Sequence, residues 1–295
     1  MALPFLISIA VILRIFSNPL GNVFQKQLTA NGNHPLVVNF LTYIFLSVIC
    51  MFFIWNFSWQ KLPGQFWLYS TLGGIAGALG NGFLVKALQK GDLSVLGPIN
   101  AYKSVIGIIV SIFLLREIPN AWGLAGIVLI ICGSYFVLET GDESFSLALL
   151  KKPEIQFRIW AMILTAIEAV FVKKVILASS ATIAFRSWCC FGAIFSFVLL
   201  FIYRIPVIKE VKRITYADGI KYLFLIICIG TMQFSTNYVF KNMDVGYALS
   251  LFQLSIIISV LLGHRIFKEQ DIRKKLIGSF IMIVGSVVII LLKSR

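Results

Sequence analysis

At 295 residues, 59% hydrophobic and only 13% charged, with a mean hydropathy of +0.93, the chain excludes an ordinary soluble domain, in which about a quarter of residues are charged. The formal net charge of +14 raises the question of nucleic acid, but the cations stand singly or in short clusters at the ends of apolar runs, where anionic lipid headgroups attract them. No nucleic-acid partner is expected. Cys50, Cys132, Cys189, Cys190 and Cys228 all fall inside apolar runs without metal-ligand spacing, so they read as packing residues and neither metal nor cofactor is expected.

Apolar runs near the roughly 20 residues needed to cross a bilayer recur at 3–25, 35–57, 66–88, 94–115, 119–138, 159–178, 183–203, 219–240, 244–266 and 275–292. They lack period-two alternation, so the expected fold is all-α: a polytopic bundle of about ten transmembrane helices. The first run follows only Met1-Ala2, with no basic segment before it and no small-residue cleavage pattern after it, and reads as a retained span. Within it Arg14, Ser17, Asn18, Gly21, Asn22 and Gln25 recur at steps of three and one, which is one helical face. That stripe is expected inside, lining a cavity or bonding to other helices. The Arg14 fork suits a carboxylate or phosphate, with pairing to Glu168 as the rival use.

The third run carries Gly73, Gly74, Gly77 and Gly80, of which Gly73 and Gly77 form a G-x-x-x-G packing motif, followed by Asn81 and Lys86. In the fourth, Asn100, Tyr102, Lys103 and Ser104 lie in GPINAYKSVIG, so Lys103 sits about ten residues deep unless it snorkels. The polar stretch Glu139 to Glu154 links the two sets of spans and defines the expected organisation: a first repeat at 1–139, a linker at 140–157 and a second repeat at 158–295. Of the twelve carboxylates only Glu168, in the sixth run, sits near mid-span. A charge at that depth costs about 2.5 to 3.5 kcal/mol on insertion scales, so it faces protein or water. Glu168 is the candidate for exchanging protons in a transport cycle, a buried ion pair being the alternative. Arg186 reads as an interfacial anchor of the seventh run. Gln233, Thr236, Asn237 and Lys241 extend along the eighth and match the third-run group in position.

Glu117, Gly126 and Gly133 recur as Glu269, Gly278 and Gly285 at an offset of 152, and NVFQKQL at 22–28 matches AVFVKKV at 169–175 at an offset of 147. An offset of half the chain means two related halves. Five spans per half force the second half to enter from the opposite side, the inverted-repeat arrangement of many secondary transporters. The repeat is broken at two charged positions: Glu168 stands opposite Gly21, and Lys103 opposite Ser255. The glutamates read as latches at the membrane surface and the glycines as packing.

The stretch from Lys86 to Leu138, with its counterpart from Lys241 to Leu291, resembles the helix signature of the drug/metabolite transporter superfamily, in its ten-helix EamA-type branch. That resemblance covers essentially the whole chain and implies alternating-access transport of a small metabolite, in a plasma membrane of the bacterial inner-membrane kind. A small-molecule substrate, the lipid bilayer and protons are the expected partners; a lipid-headgroup flippase and a passive channel are the alternatives, and the oligomeric state is open. An enzyme is disfavoured because His34 and His264 both lie at span ends and no paired-carboxylate or Ser/His/Asp pattern occurs at membrane depth. Orientation stays open: connections on the Lys26 side hold 16 cations against 8 on the other, which makes that side cytoplasmic, whereas the resemblance implies cytoplasmic termini.

Overall fold

In a bilayer each backbone N–H and C=O must find its partner within the protein, and helices achieve this segment by segment. The computed structural model describes residues 2–52, 62–93, 96, 99, 102–115, 120–138, 151–270 and 272–291, and all regular structure among them is helical. The helices of the first half are α1 (Ala2–Ala30), α2 (Pro35–Phe52), α3 (Gly64–Lys90), α4 (Tyr102–Leu115) and α5 (Ala121–Leu138). Those of the second are α6 (Pro153–Ala178), α7 (Ala181–Ile202), the short α8 (Val207–Val211), α9 (Tyr216–Asn242), α10 (Val245–Phe252), α11 (Ser255–Phe267) and α12 (Ile272–Leu291). Asn100, Arg116, Glu117 and most of the polar connection between the halves lie outside the described residues, as does the side chain of Ser104.

Local chemistry fixes several of these boundaries. Pro153 opens α6 at a position where a missing N–H costs nothing, and Glu154 in the first turn complements the helix dipole. Ser180 caps α7 by accepting from the Ile183 N–H, and Thr215 with Asp218 forms a reciprocal capping box at the start of α9. Among the described residues five helices, α1, α2, α3, α7 and α9, are long and apolar enough to cross a membrane by length and composition. Helix α6 is as long, at 26 residues, but carries Glu168, Arg158 and Lys173 within it.

Two expectations are corrected. The ninth span is not one continuous helix from 244 to 266: it breaks between α10 and α11, where Leu254 N–H bonds to Leu251 O at 3.1 Å and Ile256 N–H to Gln253 O at 2.9 Å. Such three-residue closures tighten the turn and offset the two segments. Arg158, one residue before the apolar run at 159–178, is inside α6 and buried, because that helix starts at Pro153 rather than near 159.

The inversion of the halves is visible where α5 packs on α12. A Cβ added to Gly133 would stand 2.6 Å from the Gly278 carbonyl oxygen, and one added to Gly285 would stand 2.6 Å from that of Gly126. The earlier glycine of each helix meets the later glycine of the other, so the two helices run antiparallel and exchange places under a twofold axis. The same symmetry governs the remaining contacts. Helix α1 packs on α9 and α11, and its equivalent α6 packs on α3 and α4, while α2 pairs with α7. Each half therefore lends its first helix to the other, producing one bundle of α1, α9, α10 and α11 and a second of α3, α4 and α6. Large apolar side chains such as Phe52, Phe113 and Phe201 are left exposed on the outer surface, facing where lipid would be.

Candidate functional site

Between the two bundles lies a polar cavity of about 70 Å³, lined by Arg14, Asn18, Asn22, Asn81, Lys103, Arg158, Thr165, Glu168, Gln233 and Thr236, with apolar walls from Met232, Phe240, Leu249 and Phe252. Three cations and one carboxylate thus converge on a space with room for a few water molecules. A larger cavity of about 360 Å³ opens near the α1–α2 turn among His34, Lys86, Tyr203, Glu210 and Arg213. It lies at helix ends, and its charges are partly matched, since Arg213 pairs with Glu210 at 3.1 Å. The smaller cavity gathers charged residues from within α1, α4 and α6, and it is the candidate site.

Arg14 comes from α1 and is 7% exposed. Its Nε–H donates to Thr236 Oγ1 of α9 at 2.9 Å, its guanidinium lies 4.9 Å from the centre of the Phe252 ring, and Nη1 is buried without a hydrogen-bond partner. The guanidinium is therefore held in one orientation with a donor unused. An unpaired buried donor on a charged group costs at least about 1–3 kcal/mol, which a ligand or an ordered water would relieve. Asn22, one helical face along, leaves its Oδ1 equally unpartnered.

On the facing bundle, Glu168 of α6 accepts from the Trp188 indole Nε1–H at 2.6 Å. Its Oε1 occupies the space a side chain at Gly77 would fill, and Tyr43 completes the pocket by approaching the same glycine and packing tilted against Trp188, 4.7 Å between ring centres. Arg158, nearly three turns earlier on α6, donates its Nε–H to the Leu96 carbonyl at 2.7 Å. Lys103 of α4 is half-buried, and among the described residues it has no hydrogen-bond or salt-bridge partner. It stands within electrostatic reach of Glu168, Arg14 and Arg158 together.

The expected rivalry between Arg14 and Glu168 resolves against pairing, since Arg14 turns to Thr236 and Glu168 to Trp188. Arg14, Asn18, Asn22, Asn81, Lys103, Glu168 and Gln233 share the cavity. Asn81 donates to the Tyr43 hydroxyl at 2.8 Å, and Gln233 donates to Asn237 Oδ1 at 2.9 Å. Four other candidates stand apart from it. Lys86 lies over the Phe157 ring at 4.5 Å and lines the larger cavity, Tyr102 packs with Leu93 and Leu96, Asn237 is fully buried and donates to Ala181 O, and Lys241 is exposed at the end of α9.

Sequence reasoning overlooked Arg158 and Trp188 as site residues. Arg158 was obscured by the uncertain start of its helix, and nothing in the local pattern distinguishes Trp188 from an ordinary apolar wall residue. At either end of the cavity a lysine joins the two bundles. Lys26 of α1 pairs with Glu269 at 3.0 Å and approaches Asp92 at 3.8 Å, while the same Glu269 oxygen accepts from Leu93 N–H at 2.8 Å. Its repeat mate Lys173 of α6 donates to the carbonyls of Phe240 and Met243, the latter at 2.9 Å.

A model of the EamA-like transporter family matches this chain twice, over residues 6–139 and 153–291. The chain belongs to the EamA-like transporter family. As an EamA-like transporter it is a multi-pass membrane protein of the drug/metabolite type, with the family model repeated once in each half. A crystal structure described only as that of a protein superposes on it with a TM-score of 0.74 at 16% identity over 98% of each chain, a likeness of fold alone. No curated protein matches the sequence.

Proposed function

We propose that this EamA-like transporter moves a small anionic or zwitterionic metabolite by alternating access, with Glu168 carrying the coupled proton. The observation that carries the reading is the convergence of Arg14, Lys103, Arg158 and Glu168, drawn from α1, α4 and α6, on one polar cavity between the bundles. Charges at membrane depth are costly and face pathways for solutes. The bundle of α1, α9, α10 and α11 rocks against that of α3, α4 and α6, opening one end of the cavity while the other stays shut. The Lys26–Glu269 pair with Leu93 N–H closes one end, and Lys173 with the last carbonyls of α9 closes the other. The break between α10 and α11 lies beside the cavity, where Leu249 and Phe252 form its wall, as interrupted helices do in other inverted-repeat transporters.

Glu168 is suited to proton exchange because its partner is a neutral indole donor rather than a fixed cation. The test is counterflow of labelled metabolites in proteoliposomes, with and without an imposed pH gradient. The expected result is saturable exchange, accelerated by the gradient in the wild type but not in Glu168→Gln. Gradient-independent transport with a normally active Glu168→Gln would reject proton coupling. A non-saturating flux would indicate a channel, and movement of phospholipid alone a flippase.

A further inference from the structure

The cavity's charges are unequal, and the inequality selects a substrate. Arg14, Lys103 and Arg158 face a single carboxylate, Glu168. With all four groups ionised the formal charge is +2, three cations against one anion among the lining residues. A zwitterion contributes nothing to balance this, and a monoanion only half.

The cations are also divided between the bundles. Arg14 belongs to the α1 bundle, fixed there by Thr236 and Phe252, whereas Lys103 and Arg158 belong to the α4 and α6 bundle. Without an anion between them, like charges oppose one another across the plane on which the bundles would close. With one, each bundle holds the same ligand.

We infer that the substrate is a small dianion, a dicarboxylate or a phosphate monoester, clamped between Arg14 on one bundle and Lys103 with Arg158 on the other. This rests on the transporter reading above and adds the substrate's charge and the residues that meet it. The unpartnered Nη1 of Arg14, on a side chain more than nine-tenths buried, is the donor already directed at this space. A planar guanidinium held by other contacts offers its fork to a carboxylate or phosphate with little further ordering. Lys103, with no hydrogen-bond or salt-bridge partner among the described residues, is a second basic group on this space. The small volume of the cavity, about 70 Å³, favours a solute of a few carbons.

The experiment is thermal stabilisation of the purified full-length protein by a panel: succinate, glycerol phosphate, acetate, alanine and a short-chain lysophosphatidate. Succinate or glycerol phosphate should stabilise at concentrations at least tenfold below those needed for acetate or alanine, because binding to the folded state raises stability by mass action. Which of the two is tighter identifies the anion chemistry. Arg14→Gln and Lys103→Gln should each weaken the dianion effect tenfold or more. Lys103→Gln should leave the ligand-free melting temperature unchanged or raised, which a structural lysine would not allow.

Equal response to acetate, alanine and the dianions overturns the inference, as does stabilisation by the lysophosphatidate alone. The transporter reading fails separately: dianion binding without counterflow in proteoliposomes rejects transport while leaving the anion site. Counterflow of alanine without dianion binding rejects the anion clamp while leaving the transporter.

Discussion

Glu168 occupies the space that a side chain at Gly77 would need, and the twofold axis carries this contact to Gly21 against Ile229, with large and small exchanged. Within one bundle a carboxylate of α6 fits against a glycine of α3; within the other a glycine of α1 fits against an isoleucine of α9, 2.9 Å from an added Cβ. The asymmetry of the site is thus built from two steric matches of the same kind. It follows that Gly77→Ala should displace Glu168 from Trp188 while leaving α3 helical. The expected outcome is loss of gradient-driven transport of tenfold or more in a protein that still inserts and melts cooperatively; unchanged transport would show that Glu168 does not need this position.

Thr236 accepts the Arg14 Nε–H, so Thr236→Val removes the hydroxyl at nearly constant shape. Hydrogen bonds to charged groups contribute about 1.5 kcal/mol or more, corresponding to roughly a tenfold rise in KM for the transported solute. Serine at the same position should restore most of the loss. Retention of wild-type KM by the valine variant would mean that Arg14 is held by Phe252 and its own helix alone.

At the end of the cavity near Lys26, the Glu269 side chain is 4% exposed and bonds to Lys26 and the Leu93 N–H. Lys26→Gln should cost about 1–3 kcal/mol of closure on this side, because it removes a charged partner of a buried carboxylate. In a cysteine-free background with Asn22→Cys as reporter, labelling by a membrane-impermeant thiol reagent from that side should accelerate at least fivefold. No acceleration would assign Lys26 a folding role only.

The α5–α12 contact has no room to spare at its glycines, as the 2.6 Å approach of an added Cβ at Gly133 to the Gly278 carbonyl indicates. Small residues let helix backbones meet where lipid supplies no hydrophobic drive for association. Gly133→Leu should therefore destabilise by about 1–3 kcal/mol or separate the helices outright. Its melting temperature in detergent should fall, without a change in which solutes stabilise it; an unaltered melting temperature would contradict the packing seen here.

Composition and run length were enough to specify a helical membrane bundle, and the repeated glutamate-glycine spacing was enough to specify two inverted halves. Both are properties of segments, set by the solvent each residue must face and by counting spans. The positions where the repeat fails, Glu168 and Lys103, could be picked out as exceptional before any contact was known. What the tertiary structure alone decided is which of these charges meet. Arg14 bonds to a residue 222 positions away, Arg158 enters the cavity by virtue of where α6 begins, and Trp188 becomes the partner of Glu168. None of this follows from local pattern, because each half gives its first helix to the other. The site is assembled from exchanged elements, and periodicity within a helix can say which face turns inward but not which helix it will face.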